Sequence, residues 1–301
     1  MPVTPNGTSY TTYPFTSSAG EAAWRTVADA RVGASGIPTV LFCHGNPGAV
    51  VTDADQQFAA GYTTLRNDLI DDGWAYIEGH GAGANWGNQA GRTAYEAMYA
   101  DTAAVWSLGK LDIIGRSMGA LVAAYLASQS PVTSPHVAGF VSLSGTADLS
   151  NRYSTASAGD RTNMNAAFGV TDDASWRAAV AAFDPMLAPL DVWDGRNAIM
   201  QWDTGDTTVP YAINGQAWDT KYGPRLALRR TSVTTGGDHN STPNNATQIA
   251  ATIAFLQDAE LPVTPGGDYH LIEWDGTKRT VLTPIEWDGT TKTTLTLLDQ
   301  P

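Results

Sequence analysis

Ser117 stands at the centre of Gly115-Arg116-Ser117-Met118-Gly119. The apolar pair Ile113-Ile114 enters this pentad, and the Ala- and Leu-rich run Ala120–Leu126 leaves it. A strand, a tight turn and a helix in that order would expose a serine hydroxyl at the carboxyl edge of a sheet, with glycines on either side so that helix and strand can close together. A hydroxyl is a weak nucleophile near neutral pH. It needs a base within hydrogen-bond reach and a carboxylate to orient that base and stabilise its charged form.

The chain has five histidines. His136 precedes a predicted strand and His270 lies beyond the predicted catalytic region. His44, His80 and His239 fall in loops after predicted strands. Of these, His239 follows both the serine and the acid candidates, which fits the chain order serine, acid, histidine. Asp206, in Gly205-Asp206-Thr207-Thr208-Val209-Pro210, is the favoured acid because Gly205 permits the turn. Asp203 is the reserve. Asp238 is least suited, since a neighbour in sequence rarely points correctly at the adjacent ring. A tetrahedral intermediate needs backbone N–H donors. Met118, next to the nucleophile, is one. Asn46, in His44-Gly45-Asn46-Pro47-Gly48, is the other, because Pro47 has no N–H.

The elements that must hold these residues alternate. Thr39–Cys43, Trp74–Ile77, Val137–Leu143, Ala198–Trp202 and Thr231–Thr235 read as buried strands. Residues 55–72, 93–108, 213–221 and 246–261 read as helices, with a further helix over Glu21–Arg31 capped by Ser18. Residues 1–20 read as extended or irregular. This alternation predicts an α/β fold: a mostly parallel, doubly wound sheet with helices on both faces and the chemical loops at its carboxyl end. Residues 146–195 break the rhythm and read as a lid or cap, with helical pieces near 163–168 and 175–183. After Pro265, Ile272-Glu273-Trp274-Asp275-Gly276-Thr277 recurs as Ile285-Glu286-Trp287-Asp288-Gly289-Thr290. Asp-Gly between alternating runs signals a hairpin. The chain therefore divides into a catalytic domain over 1–262 and a small tandem β-hairpin appendix over 266–301.

Composition sets limits on partners. With 301 residues, 43% hydrophobic and 16% charged, the chain can bury a large core. A formal net charge of -13 argues against nucleic acid and against an anionic membrane surface. No apolar run approaches a membrane span. Met1–Phe15 lacks the basic and apolar segments of a secretory leader. A single cysteine, Cys43, excludes an intrachain disulfide and a cysteine-rich metal site. No metal and no cofactor are expected.

Cys43–Gly48, Gly115–Gly119, Gly205–Pro210 and Gly237-Asp238-His239, in this order and spanning residues 38–260, together resemble the α/β-hydrolase family of serine esterases, lipases and peptidases. The resemblance implies Ser117 as nucleophile, His239 as base, Asp206 as acid, and Asn46 and Met118 as oxyanion donors. His80-Gly81 with Trp86-Gly87-Asn88 is similar to the substrate-side loop of several such enzymes. His80 is therefore assigned to the substrate side, and His44, read as shaping its own loop rather than as the base, is placed there with it. So is Arg116, which stands where many members carry histidine. It either approaches an anionic group or pairs with a nearby carboxylate. The Glu-Trp-Asp-Gly-Thr repeats resemble the ends of minor tail proteins of phages infecting actinobacteria. That resemblance implies a virion-borne enzyme, assembled through its tail with other tail proteins or a second copy, acting on small-molecule, lipid or host-envelope esters. An inactive hydrolase-fold scaffold or receptor-binding protein is the alternative.

Overall fold

The computed structural model describes residues 2–46, 52, 56–241 and 245–261, together with the backbone of 271–274 and 279–282. Eight strands form one sheet: β1 (Tyr10–Thr16), β2 (Ala22–Ala28), β3 (Ile37–Cys43), β4 (Ala75–Gly79), β5 (Leu108–Arg116), β6 (Val137–Leu143), β7 (Asn197–Asp203) and β8 (Leu228–Thr234). Their spatial order is β1-β2-β4-β3-β5-β6-β7-β8. From β4 to β8 all pairings are parallel, while β1 and β2 add an antiparallel edge.

The central strands are apolar on both faces because helices cover both. Side chains alternate along each strand, so neighbours enter opposite layers. Leu41, Ile113, Phe140 and Met200 join α3 (Gln89–Ala103), α4 (Gly119–Ser128) and α8 (Gly215–Tyr222). Val40, Phe42, Ile114 and Val141 join α1 (Gln57–Gly61), α2 (Thr63–Asp71) and α9 (Ala246–Ala259). The predicted helix over residues 55–72 is divided at Tyr62, whose backbone leaves helical geometry.

One element differs in kind. The segment expected as a helix over Glu21–Arg31 is strand β2, paired with β1 on one side and β4 on the other. Trp24 is buried within this strand. Helix propensity is worth only tenths of a kcal/mol per residue. The unpaired backbone groups of β4 outweigh it once β2 lies alongside.

Residues 146–195 carry α5 (Leu149–Thr155), α6 (Ala158–Phe168) and α7 (Asp173–Val180). Ser157 and Asp172 cap α6 and α7 through their side chains. Leu149, Tyr153, Met164, Trp176 and Val180 form a cluster of their own that also takes in Trp86, Met118 and Leu121. The segment thus packs directly over the start of α4.

The chain separates into two compact units, Met1–Glu260 and Leu261–Pro301. Within the second, β9 (Leu271–Trp274) pairs antiparallel with β10 (Arg279–Leu282). The second expected hairpin lies outside the described residues.

The β5–α4 junction leaves no room for extra atoms. A Cβ on Gly115 would lie 2.6 Å from Ala120 Cα, and one on Gly119 would lie 2.1 Å from the Cys43 carbonyl oxygen. Gly119→Ala should therefore destabilise the fold by about 1–3 kcal/mol or more, since backbone rather than a yielding side chain meets the new methyl. A lowered midpoint in chemical denaturation would register it.

Candidate active site

Ser117 sits between β5 and α4 with φ of 51°, a left-handed conformation rare outside glycine. Its N–H donates to Leu143 O (3.1 Å), and its carbonyl accepts from Thr146 N (2.9 Å). The strained turn is therefore held from the β6 side. The residue is 8% exposed.

His239 Nε2 lies 2.9 Å from Ser117 Oγ, and its Nδ1 lies 2.7 Å from Asp206 Oδ2. Asp206 is buried, and its Oδ1 accepts the N–H groups of Thr208 (2.9 Å) and Val209 (2.8 Å). These two donors fix the carboxylate and leave its second oxygen for the ring. A carboxylate against Nδ1 sets the tautomer: the proton belongs on Nδ1 and the lone pair on Nε2 faces the serine.

Asp203, the reserve acid, has a different task. Its Oδ1 accepts from Gly205 N (2.8 Å) and Gly237 N (3.0 Å), and its Oδ2 from Thr234 Oγ1 (2.8 Å). It ties the acid loop to the histidine loop. The two loops touch closely enough that a Cβ on Gly205 would lie 2.2 Å from Gly237 O. Asp238 bonds the N–H of Asn240 and the hydroxyl of Ser241 within its own turn.

The loop after β3 abuts the serine: a Cβ on Gly45 would lie 3.3 Å from Ser117 Cβ. Gly45 N donates to Gln57 Oε1 (3.1 Å). The side-chain amide of Asn46 is held at both ends by α6. It donates to Asp160 Oδ1 (2.8 Å) and accepts from Asn163 Nδ2 (3.0 Å). Asp160 in turn pairs with Arg152 at 2.6 Å. Met118 is fully buried at the N-cap of α4, where the helix dipole favours negative charge.

The rings of the two histidines assigned to the substrate side bond backbone carbonyls and a carboxylate. His44 is buried, with Nδ1 2.9 Å from Gly45 O and Nε2 2.7 Å from His80 O. Both ring nitrogens face backbone carbonyls, so the ring joins the β3 and β4 loops and presents neither nitrogen to a substrate. Burial, only partly offset by these carbonyls, lowers its pKa. His80 Nδ1 bonds Glu21 Oε2 on the antiparallel edge. Arg116, by contrast, reaches the centre: Nη1 is 3.2 Å from His239 Nε2, and Nη2 donates to His239 O (3.2 Å) and Asn240 Oδ1 (2.6 Å).

Sequence reasoning missed Glu78, at the end of β4. It is fully buried and accepts the N–H groups of Phe58 (2.8 Å) and Ala59 (3.0 Å) at the start of α1. The helix that carries Gln57 to Gly45 is thereby anchored on a carboxylate. A lone Glu in a strand carries no motif; only its buried position reveals it. Among the described residues no cluster of His, Cys, Asp or Glu has the arrangement to hold a metal ion. No helix of the described residues is long and apolar enough to cross a membrane.

No family model matches the chain, and no curated protein matches its sequence. Solved structures do. Esterase Pf2001 from Pyrococcus furiosus has a TM-score of 0.58 at 15% identity, over 83% of this chain and 93% of that one. Puromycin hydrolase has a TM-score of 0.66 at 14% identity, over 86% of this chain and 40% of that one. Oligopeptidase B from Leishmania major has a TM-score of 0.62 at 12% identity, over 83% of this chain. This chain spans 37% of the oligopeptidase's length. At these identities the likeness is one of fold.

Burial pushes the Glu78 carboxyl up to about 7, against the pull of its N–H donors, from an unperturbed 4.5. The folded state therefore holds this proton more tightly than the unfolded state. Stability should fall as pH rises through the window from about 4.5 to 7, by on the order of 3 kcal/mol. Glu78→Gln should remove that part of the slope, read from denaturation midpoints across the window. With its parallel sheet, two helical layers and neighbours of this kind, the chain has the α/β-hydrolase fold.

Proposed function

We propose that this protein is a serine hydrolase that cleaves carboxylic esters through an acyl-enzyme. The observation that carries the reading is the relay of Ser117 Oγ, His239 and Asp206 at 2.9 and 2.7 Å. His239 takes the Ser117 proton as Oγ attacks the acyl carbon. Asp206 keeps the ring in the right tautomer and stabilises the imidazolium. The N–H groups of Met118 and Asn46 are the oxyanion donors in this reading. The His239 proton passes to the departing alcohol. Water, activated by the same ring, then releases the acid.

The ester is the substrate class of this reading; the solved structures that share the fold include an esterase and an oligopeptidase alike. The α5–α7 segment, packed over Met118, is the lid that shapes the acyl site. The repeated C-terminal unit is read as an attachment module. It is the part of the chain that resembles phage minor tail proteins, and it would carry the enzyme on a virion toward host-envelope esters.

A fluorophosphonate probe should label the wild type covalently and leave Ser117→Ala unlabelled. Asp206→Ala should lower kcat roughly 10⁴-fold, because the ring loses its tautomer and its charge partner. Nitrophenyl esters of rising acyl length should be turned over faster than the matched anilides. A folded wild type that takes no label would overturn the enzyme reading in favour of an inactive scaffold.

A further inference from the structure

Arg116 shares the acceptor atom that Ser117 uses. With the His239 proton on Nδ1 against Asp206, Nε2 has one lone pair, and two donors face it: Ser117 Oγ at 2.9 Å and Arg116 Nη1 at 3.2 Å. The other acceptors of the guanidinium are His239 O and Asn240 Oδ1. The Tyr62 phenol lies beside it, with its pKa raised by burial and pulled down by the guanidinium. Its ring-nitrogen, carbonyl and amide partners are all neutral, and among the described residues no carboxylate pairs with Arg116. Arg116 is only 8% exposed. Among the described residues this guanidinium meets no anion and its buried Nε has no partner, although its planar fork is matched by carboxylate or phosphate.

The same geometry says where a substrate anion would reach this guanidinium. The departing oxygen takes its proton from Nε2 and so must come within about 3 Å of that atom. Arg116 Nη1 is 3.2 Å from it. The departing oxygen and Nη1 are then at most about 6 Å apart. A substituent a few bonds out on the alcohol reaches the guanidinium.

Resting on the serine-hydrolase reading above, we propose that Arg116 selects esters whose leaving alcohol carries a carboxylate or phosphate. On binding, the guanidinium turns from Nε2 to the anion and leaves the lone pair to Ser117. Oγ then forms its bond to the acyl carbon while its proton moves to Nε2. The bond from the acyl carbon to the alcohol oxygen breaks, and the proton returns from Nε2 to that oxygen. Water repeats the cycle and restores Ser117. Arg116 is thus a specificity-determining group on the leaving-group side, and in the absence of an anion it competes with the nucleophile for the base.

The test compares meta-acetoxybenzoate with its methyl ester, which share an acyl group and differ in the charge on the leaving group. Each kcat/KM is divided by the rate of hydroxide hydrolysis of the same ester. The wild type should favour the anion by about tenfold or more. Arg116→Gln should bring the ratio toward one, and Arg116→Lys should keep part of the preference. Asn240→Asp places a carboxylate on Nη2 and should lower the ratio with Arg116 still present, which covers the case in which Arg116→Gln fails to fold. A wild type labelled by the fluorophosphonate but with a ratio of one or less would overturn this inference alone. A wild type that takes no label would overturn the hydrolase reading and this inference with it.

Discussion

Everything in the site depends on one strained turn. Ser117 holds φ at 51° while its flanking glycines press against backbone: Gly115 against Ala120, Gly119 against the carbonyls of Cys43 and His44. Such a conformation costs on the order of 1–3 kcal/mol and persists only where the surroundings over-determine it. Here they do. β5 is buried from Leu111 to Arg116, α4 is buried on nearly every side, and β6 bonds the serine's N–H. The strain lifts the hydroxyl off the sheet edge and brings Met118 N to the positive end of α4 in the same step.

The second constraint is the coupling of loops that are distant in sequence. Asp203 binds Gly205, Thr234 and Gly237, and so ties the loops after β7 and β8 together. Asp206 and His239 are therefore positioned relative to each other by contacts that do not involve Ser117. On the other side, His44 joins the β3 and β4 loops through two carbonyls, and Glu78 anchors the helix whose Gln57 meets Gly45. Asn46 is gripped by α6 of the overlying segment. The overlying segment thus touches both the β3 loop, through Asn46, and Met118 at the start of α4.

The alternation of strands and helices was readable because periodicity is local. A short run such as Thr39–Cys43, bounded by Pro38 and Gly45–Gly48, reads as a strand covered on both faces, and its cover comes from the helices between. The segment over Glu21–Arg31 was misread for the complementary reason. Its fate depends on β4, which arrives some fifty residues later and offers backbone groups that local propensity does not register. The three short helices over 146–195 were only partly legible, since their apolar residues face one another and Trp86 rather than the main sheet.

By itself, the sequence determined the kinds of group available and their order along the chain: a serine between glycines, then Asp203 and Asp206, then His239, each after a strand. It did not determine which carboxylate meets the ring, because both aspartates follow the same strand within three residues. Tertiary structure decided that. Asp203 is still within β7 and turns to the adjoining loop, whereas Asp206 lies past the turn, where two N–H groups aim it at Nδ1. Nor could spacing show that His44 would spend both nitrogens on backbone, that Glu78 would be buried, or that Arg116 would meet the base. Those outcomes depend on where side chains point after distant loops pack together, and pairing across the sheet edge is a property of the folded chain.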